Sequence, residues 1–406
     1  MPPDFTNPAS GVRSPVSSNC TTLAFLKDVL ICSLGAYGGP EAHLGVFMDQ
    51  MVAKRKYLTD EDLIELMALC SILPGPTSSQ TIVSIGHKMG GPILALLTML
   101  VWSAPVLIVM TAVSFLYAAL AATNISTDLL RFVGPMAVGF IVLAAYRIGR
   151  KVLTDWFTIG LLIASTIATY FIRSPWIFPL VLLAGGALAV LVSKEKDIWN
   201  HVRIRPPWRY LIIFAGLAIG SLAAAYFTQI QFFALFERFY RYGYLVFGGG
   251  QVIVPVMHSE LVVIQEHLTN DEFLTGYGLV QGLPGPMFSF AAYAGGLAAR
   301  GASVWYQLTG AIAGGIGIFL PGLLLIYFVY PVWQQLRQIR AIKISLKGIN
   351  AVAGGMILAA ALILIQANGF APAPLAATGL TLALLATRKV PAPILVVLAL
   401  LAGIIF

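Results

Sequence analysis

From Leu94 to Leu120 the chain runs without a charged residue. That length matches a bilayer crossing, because about 20 apolar residues in a helix span the hydrocarbon core. Comparable apolar runs occupy Phe132–Tyr146, Leu161–Ile172, Phe178–Val192, Leu211–Phe227, Ile342–Ile365 and Ile394–Phe406. Over 406 positions 58% of residues are hydrophobic and 10% charged, against about 25% charged in soluble domains. No ten-residue alternation signals a β-barrel. The fold class is therefore all-α, a polytopic integral membrane protein. The net charge of +8 does not imply nucleic acid, because Lys and Arg sit in short clusters between apolar runs, as positive-inside topology requires.

Two breaks interrupt this pattern. "CSILPGPTSSQTIVSIG" at 70–86 and "LVQGLPGPMFSFAAYAG" at 279–295 share LPGP at a separation of 210 residues. Aligned without a gap, residues 37–91 and 247–301 share 14 identities in 55, including Gly38 and Gly39 with Gly248 and Gly249, and Leu58-Thr59 with Leu268-Thr269. Further on, "FVGPMAVGFIVLAA" from Phe132 resembles "LKGINAVAGGMILAA" from Leu346. The chain is a tandem duplication.

The copies differ in the charge between their motifs. Residues 48–62 carry Lys54, Arg55 and Lys56, whereas 258–272 carry Glu260, Glu266, Asp271 and Glu272 and no Lys or Arg. The positive-inside rule places these loops on opposite faces of the membrane. The basic segment "SKEKDIWNHVRIRPPWR" at 193–209 is expected in the cytoplasm, followed by one helix that inverts the second copy. The expected organisation is a flexible tail at 1–22 rather than a signal peptide, a first repeat at 23–193, a cytoplasmic linker at 194–209, an inverting helix at 210–230 and a second repeat at 231–406. Each GG and PGP segment is expected to form a re-entrant hairpin of two half-helices. Single full crossings at 23–47 and 63–88 are the alternative path.

Inverted repeats with helices broken at matching positions are the pattern of secondary transporters, whose half-helix ends face a substrate site. The candidate binding residues are Gly38, Gly39, Pro40, Pro74, Gly75, Pro76, Thr77, Ser78, Ser79 and Gln80, with Gly248, Gly249, Gln251, Pro284, Gly285 and Pro286 in the second copy. Proline and glycine stop one helix and start another, and "TSSQ" then offers hydroxyls and an amide at a helix N-terminus, where an anion is favoured. A packing kink whose serines bond back to their own helix is the competing reading. Glu41 and His43 are ionisable in an apolar setting and have Gln251 and Ile253 as counterparts, so a proton-linked step is expected in one half only; snorkelling to an interface or capping of the second half-helix is the competing reading. Lys27 and Asp28 are expected to mark an interfacial helix. Cys20, Cys32 and Cys70 show no metal or disulfide spacing, and no ATP-binding loop is present. No cofactor and no enzymatic activity are expected.

Together, "YGGPEAH", "YLTDED", "LPGPTSSQ" and "IGHKMGG" resemble the chromate transporter family in its long form of two fused halves. The resemblance covers nearly the whole chain from about Leu23, with Tyr37 in place of the commoner Phe. It implies a bacterial inner-membrane carrier that exports chromate under the proton-motive force and confers chromate resistance, with chromate, protons and lipid as partners and a homodimer left open. A carrier for sulfate or another oxyanion, a passive anion channel and a membrane-embedded enzyme are the alternatives; the last would need a catalytic pair that the second copy does not offer.

Overall fold

The structure is a computed structural model and describes residues 21–122, 127–172, 174, 176–195, 205–247, 250–301 and 303–405. The side chains of Pro40 and Glu41 lie outside the described residues, as do Gly248, Gly249 and the middle of the basic linker. The described residues contain helices and no strand. Among the described residues, five helices are long and apolar enough to cross a membrane: Thr77–Ala121, Asp128–Val152, Trp208–Thr228, Val304–Leu336 and Arg340–Asn368. Large apolar side chains such as Ile93, Ile108, Leu183, Leu191, Ile219 and Phe227 point outward, as lipid contact requires.

The first half opens with α1 (Thr22–Gly35) and α2 (Pro40–Phe47), which continues as a π-helical segment, Met48–Lys54. Then come α3 (Asp60–Ile72), α4 (Thr77–Ala122), α5 (Val133–Val152), α6 (Trp156–Phe171) and α7 (Ile177–Val192). Helix α8 (Trp208–Thr228) follows the basic linker. The second half repeats the order with α9 (Gln231–Leu245), α10 (Ile253–His258) and its π-helical extension Ser259–Ile264, α11 (Asn270–Gln281) and α12 (Phe290–Ala298). It closes with α13 (Val304–Val329), a short α14 (Trp333–Leu336), α15 (Arg340–Asn368), α16 (Pro372–Ala386) and α17 (Ala392–Ile405).

Local sequence explains the matched boundaries. Thr59 caps α3 with Asp62 in a reciprocal capping box, and Thr269 does the same for α11 with Glu272; each box satisfies two end donors. The segments between the GG and PGP motifs, read in the sequence as polar loops, are largely helical. The π-helical turns extend α2 and α10, leaving short turns in which Lys56 and Glu266 both adopt positive φ.

Four helical pairs fold back on themselves. In α1–α2, Asp28 meets Gln50 and Tyr57; in α9–α10, Arg238 meets Gln265 and His267. In α3–α4, Asp62 pairs with Lys88 at 2.5 Å, and in α11–α12 Tyr293 packs over Gly276. At about 1.5 Å per residue, the 14 residues of α1 and the 13 of α3 reach well short of a full crossing of about 30 Å. Asp28 departs from the expectation of an interfacial helix, since its side chain is fully buried and bonded within the first hairpin.

The two halves interlock reciprocally. The Gly75 N–H donates to Val246 O at 2.7 Å, and the Gly285 N–H donates to Ala36 O at 2.8 Å, so both donor and acceptor recur 210 residues later. The long arms of α4 and α13 run antiparallel: Ser114 accepts from Gln307 at one end, and Pro92 O accepts from Tyr327 at the other. Helix α5 packs on α16 through Thr378 and Pro135 O, as α15 packs on α6 through Ser165 and Val352 O. Small residues allow these approaches, with Gly185 against Gly348 and Gly295 against Gly310, the usual device where helices associate in lipid.

Candidate functional site

Pro74–Gly75–Pro76 separates α3 from α4 because Pro76 has no N–H to extend a helix and Gly75 sits at φ +129°, a conformation that side-chain-bearing residues resist. The turn is pinned to the other half by the Gly75–Val246 bond. Pro284–Gly285–Pro286 forms the matching turn with Gly285 at φ +104°. At the first GG motif both Gly38 and Gly39 adopt φ +87°, and Gly39 caps α2. The tips of the hairpins therefore meet where they are buried, with Ala36 at Gly285 and Val246 at Gly75.

After the first PGP turn, Thr77 begins α4, whose first-turn amides have no carbonyl four residues back to bond. Helix α4 bends sharply at Gly90–Gly91, so its second arm returns along the first: Gly86 packs against Thr98, and Trp102 Nε1 donates to Ser79 Oγ at 3.0 Å. His43 Nδ1 lies 3.0 Å from Ser78 Oγ, joining α2 to the start of α4. The rings of His43 and Phe47 pack edge-on against Trp102 at 5.4 and 5.3 Å. Ser33 Oγ donates to Trp102 O at 2.7 Å. Ser33, Ser79, Gln80, His43 and Trp102 are buried, whereas Thr77 and Ser78 are half-buried at the same helix end.

The competing expectation, that the serines bond back to their own helix, does not describe Ser78 and Ser79. Their side-chain partners are His43 on α2 and Trp102 on the returning arm. Gln80 bonds the turn instead, its Nε2 donating to Pro74 O at 2.9 Å. Its Oε1 is buried without a protein partner, as is the hydroxyl of Ser289, which stands 210 residues after Ser79. An unpaired buried polar atom costs about 1–3 kcal/mol, and such atoms call for water or a ligand.

The second copy lacks this polar arrangement. At the positions of His43, Thr77, Ser78 and Gln80 stand Ile253, Met287, Phe288 and Phe290. These four line a small cavity with Val254, Met257, Tyr277 and Ile318. Gln251 is half-buried at the start of the second tip. Of the residues read from sequence, the structure thus brings together Gly75–Gln80, His43 and Gly285. Ser33 and Trp102 were not foreseen, because an isolated Ser or Trp in an apolar run carries no periodic or motif signal.

Comparison with known proteins follows the same division. The family model described as Chromate transporter matches residues 23–191 and again residues 233–404. The chain is 27% identical over 394 residues to a probable chromate transport protein of Synechococcus elongatus, covering 95% of this chain and 94% of that protein. It is 26% identical over 421 residues to a chromate transport protein of Cupriavidus metallidurans, covering 100% and 97%. An uncharacterised transporter of Bacillus subtilis matches at 26% identity over 165 residues, 40% of this chain and 83% of that protein. No solved structure matches the chain. Both halves carry the family's pattern, and the chain belongs to the chromate transporter family.

Proposed function

We propose that this chain is a secondary carrier that exports chromate across the bacterial inner membrane, linked to the proton-motive force, and so confers chromate resistance. The observation that carries the reading is the meeting of the hairpin tips around the N-terminus of α4. There the helix dipole, the first-turn amides and the hydroxyls of Thr77 and Ser78 suit a tetrahedral dianion. The relatives named as chromate transport proteins over almost the full length of the chain support the choice of anion. The bound anion would lie among Gly38, Gly39, Pro40 and Pro74–Gln80, facing Gly248, Gly249, Gln251 and Pro284–Pro286.

Inverted topology is supported by the reciprocal Gly75–Val246 and Gly285–Ala36 bonds and by the antiparallel arms of α4 and α13. Two copies related this way present their breaks to one central site from opposite faces, as alternating access requires. Proton linkage is assigned to Glu41 and His43. The support for His43 is its contact with Ser78, which would make the donor or acceptor role of that hydroxyl depend on imidazole protonation. Purified protein in proteoliposomes, assayed for chromate flux with and without an imposed pH gradient and with sulfate as competitor, tests the proposal. Chromate accumulation that follows the gradient is expected. Flux that never exceeds equilibration refutes coupling, and equal inhibition by sulfate refutes chromate selectivity.

A further inference from the structure

The first hairpin is closed at its base by a buried carboxylate. Asp28 accepts from Gln50 Nε2 at 2.8 Å, from Arg55 Nε at 3.0 Å and from Tyr57 Oη at 2.6 Å. Adding 210 to each number gives Arg238, Glu260, Gln265 and His267, which form the corresponding network in the second hairpin. Arg238 donates to His267 Nε2 at 2.8 Å and to Gln265 Oε1 at 2.9 Å, and lies 3.6 Å from Glu260, which also accepts from Arg241 at 2.9 and 3.1 Å; Ile31 stands at the position of Arg241 in the first hairpin. The four positions keep their contacts while the central charge changes sign. Neighbouring charges reverse as well, with Lys27 against Glu237 and Lys56 against Glu266.

We infer that the two networks are equivalent clamps, and that Asp28 and Arg238 are positioning residues that hold the hairpins so that their tips meet. A buried charge without a partner is expensive, so the stem must carry the sign opposite to the group that reaches it from the turn. On the inverted-topology reading the first turn is basic because it faces the cytoplasm, and the second, free of Lys and Arg, faces out. The stem charge pairs with Arg55 in the first hairpin and with Glu260 in the second. By contrast, Asp62–Lys88 and Glu272–Arg300 at the bases of the other two hairpins keep the same acid–base order in both halves. Asp28 lies eight residues, about 12 Å of helix, before Ala36, whose carbonyl takes the Gly285 N–H.

The test uses the full-length protein. Asp28→Arg alone places a cation beside Arg55. The six-position transplant Lys27→Glu, Asp28→Arg, Ile31→Arg, Gln50→Glu, Arg55→Gln and Tyr57→His rebuilds the second clamp inside the first hairpin, with the Glu237–Arg241–Glu260 pairs included. Hydrogen exchange at the peptide containing Gly285 reads tip docking without any substrate, and chromate flux in proteoliposomes reads transport. The single change is expected to speed that exchange about tenfold and to cut flux similarly, with the transplant restoring both to within about threefold. Wild-type exchange in Asp28→Arg overturns the inference. So does an inserted transplant that restores neither quantity, or one that restores exchange but not flux, which would give the Asp28 carboxylate a direct part in transport. If Asp28→Arg fails to insert, Asp28→Asn takes its place, and unchanged exchange in that variant again overturns the inference. Should the wild-type protein move no chromate, the exchange arm decides alone, and the failure belongs to the transport proposal.

Discussion

Replacing Gly75 by alanine separates a tip that forms the site from one that merely turns the chain. Gly75 sits at φ +129°, where a residue with a Cβ costs about 1–3 kcal/mol. The new Cβ would lie 2.6 Å from Gln80 Nε2, forcing that amide off Pro74 O and forfeiting a hydrogen bond worth about 0.5–1.5 kcal/mol net. At about 1.4 kcal/mol per factor of ten, the sum disfavours the native tip by about ten- to a thousandfold, shown as lost stability, a displaced tip or both. Gly369→Ala is the control, since its φ of +81° imposes comparable strain but its Cβ meets nothing within 4 Å. Gly285→Ala is intermediate, at φ +104° with Val106 Cγ1 3.1 Å away. Melting temperature in detergent and chromate flux in proteoliposomes are measured for all three. Flux should fall most for Gly75→Ala, less for Gly285→Ala and within about twofold of wild type for Gly369→Ala, because only the competent fraction transports. Equal flux from Gly75→Ala and Gly369→Ala, at equal amounts of monodisperse protein, would refute the tip as the site.

Trp102→Phe removes the donor to Ser79 while keeping an aromatic ring against His43 and Phe47; it should cost about 1 kcal/mol of stability and lower chromate affinity, checked by thermal melts and flux saturation. His43→Gln keeps a hydrogen-bonding group beside Ser78 without a titrating one, and Glu41→Gln neutralises the other candidate. At least one of the two should flatten the pH dependence of accumulation, and unchanged profiles in both would remove proton linkage from this region. Lys56→Cys and Glu266→Cys occupy matching exposed turns with positive φ. On a background without Cys20, Cys32 and Cys70, an impermeant thiol reagent applied to whole cells should label only Glu266→Cys, and equal labelling contradicts inverted topology.

Residue order alone determined the solvent, the helical class and the duplication. A run such as Leu94–Leu120 cannot be satisfied outside a bilayer, and LPGP recurring after 210 residues marks equivalent breaks whatever surrounds them. The breaks themselves were legible because proline and glycine act through their own backbone chemistry, which needs no partner. What those breaks touch was not legible, since contacts between distant residues leave no local pattern. Only the tertiary structure brought Gly75 to Val246 and Gly285 to Ala36, returned Trp102 to Ser79 by bending α4 at Gly90–Gly91, and set His43 against Ser78. Asp28 shows the limit most clearly. In sequence it is an acid beside a lysine, which suggests a wet interface. In the fold it is buried because Gln50, Arg55 and Tyr57, brought round by the hairpin turn, replace the water that a carboxylate would otherwise require.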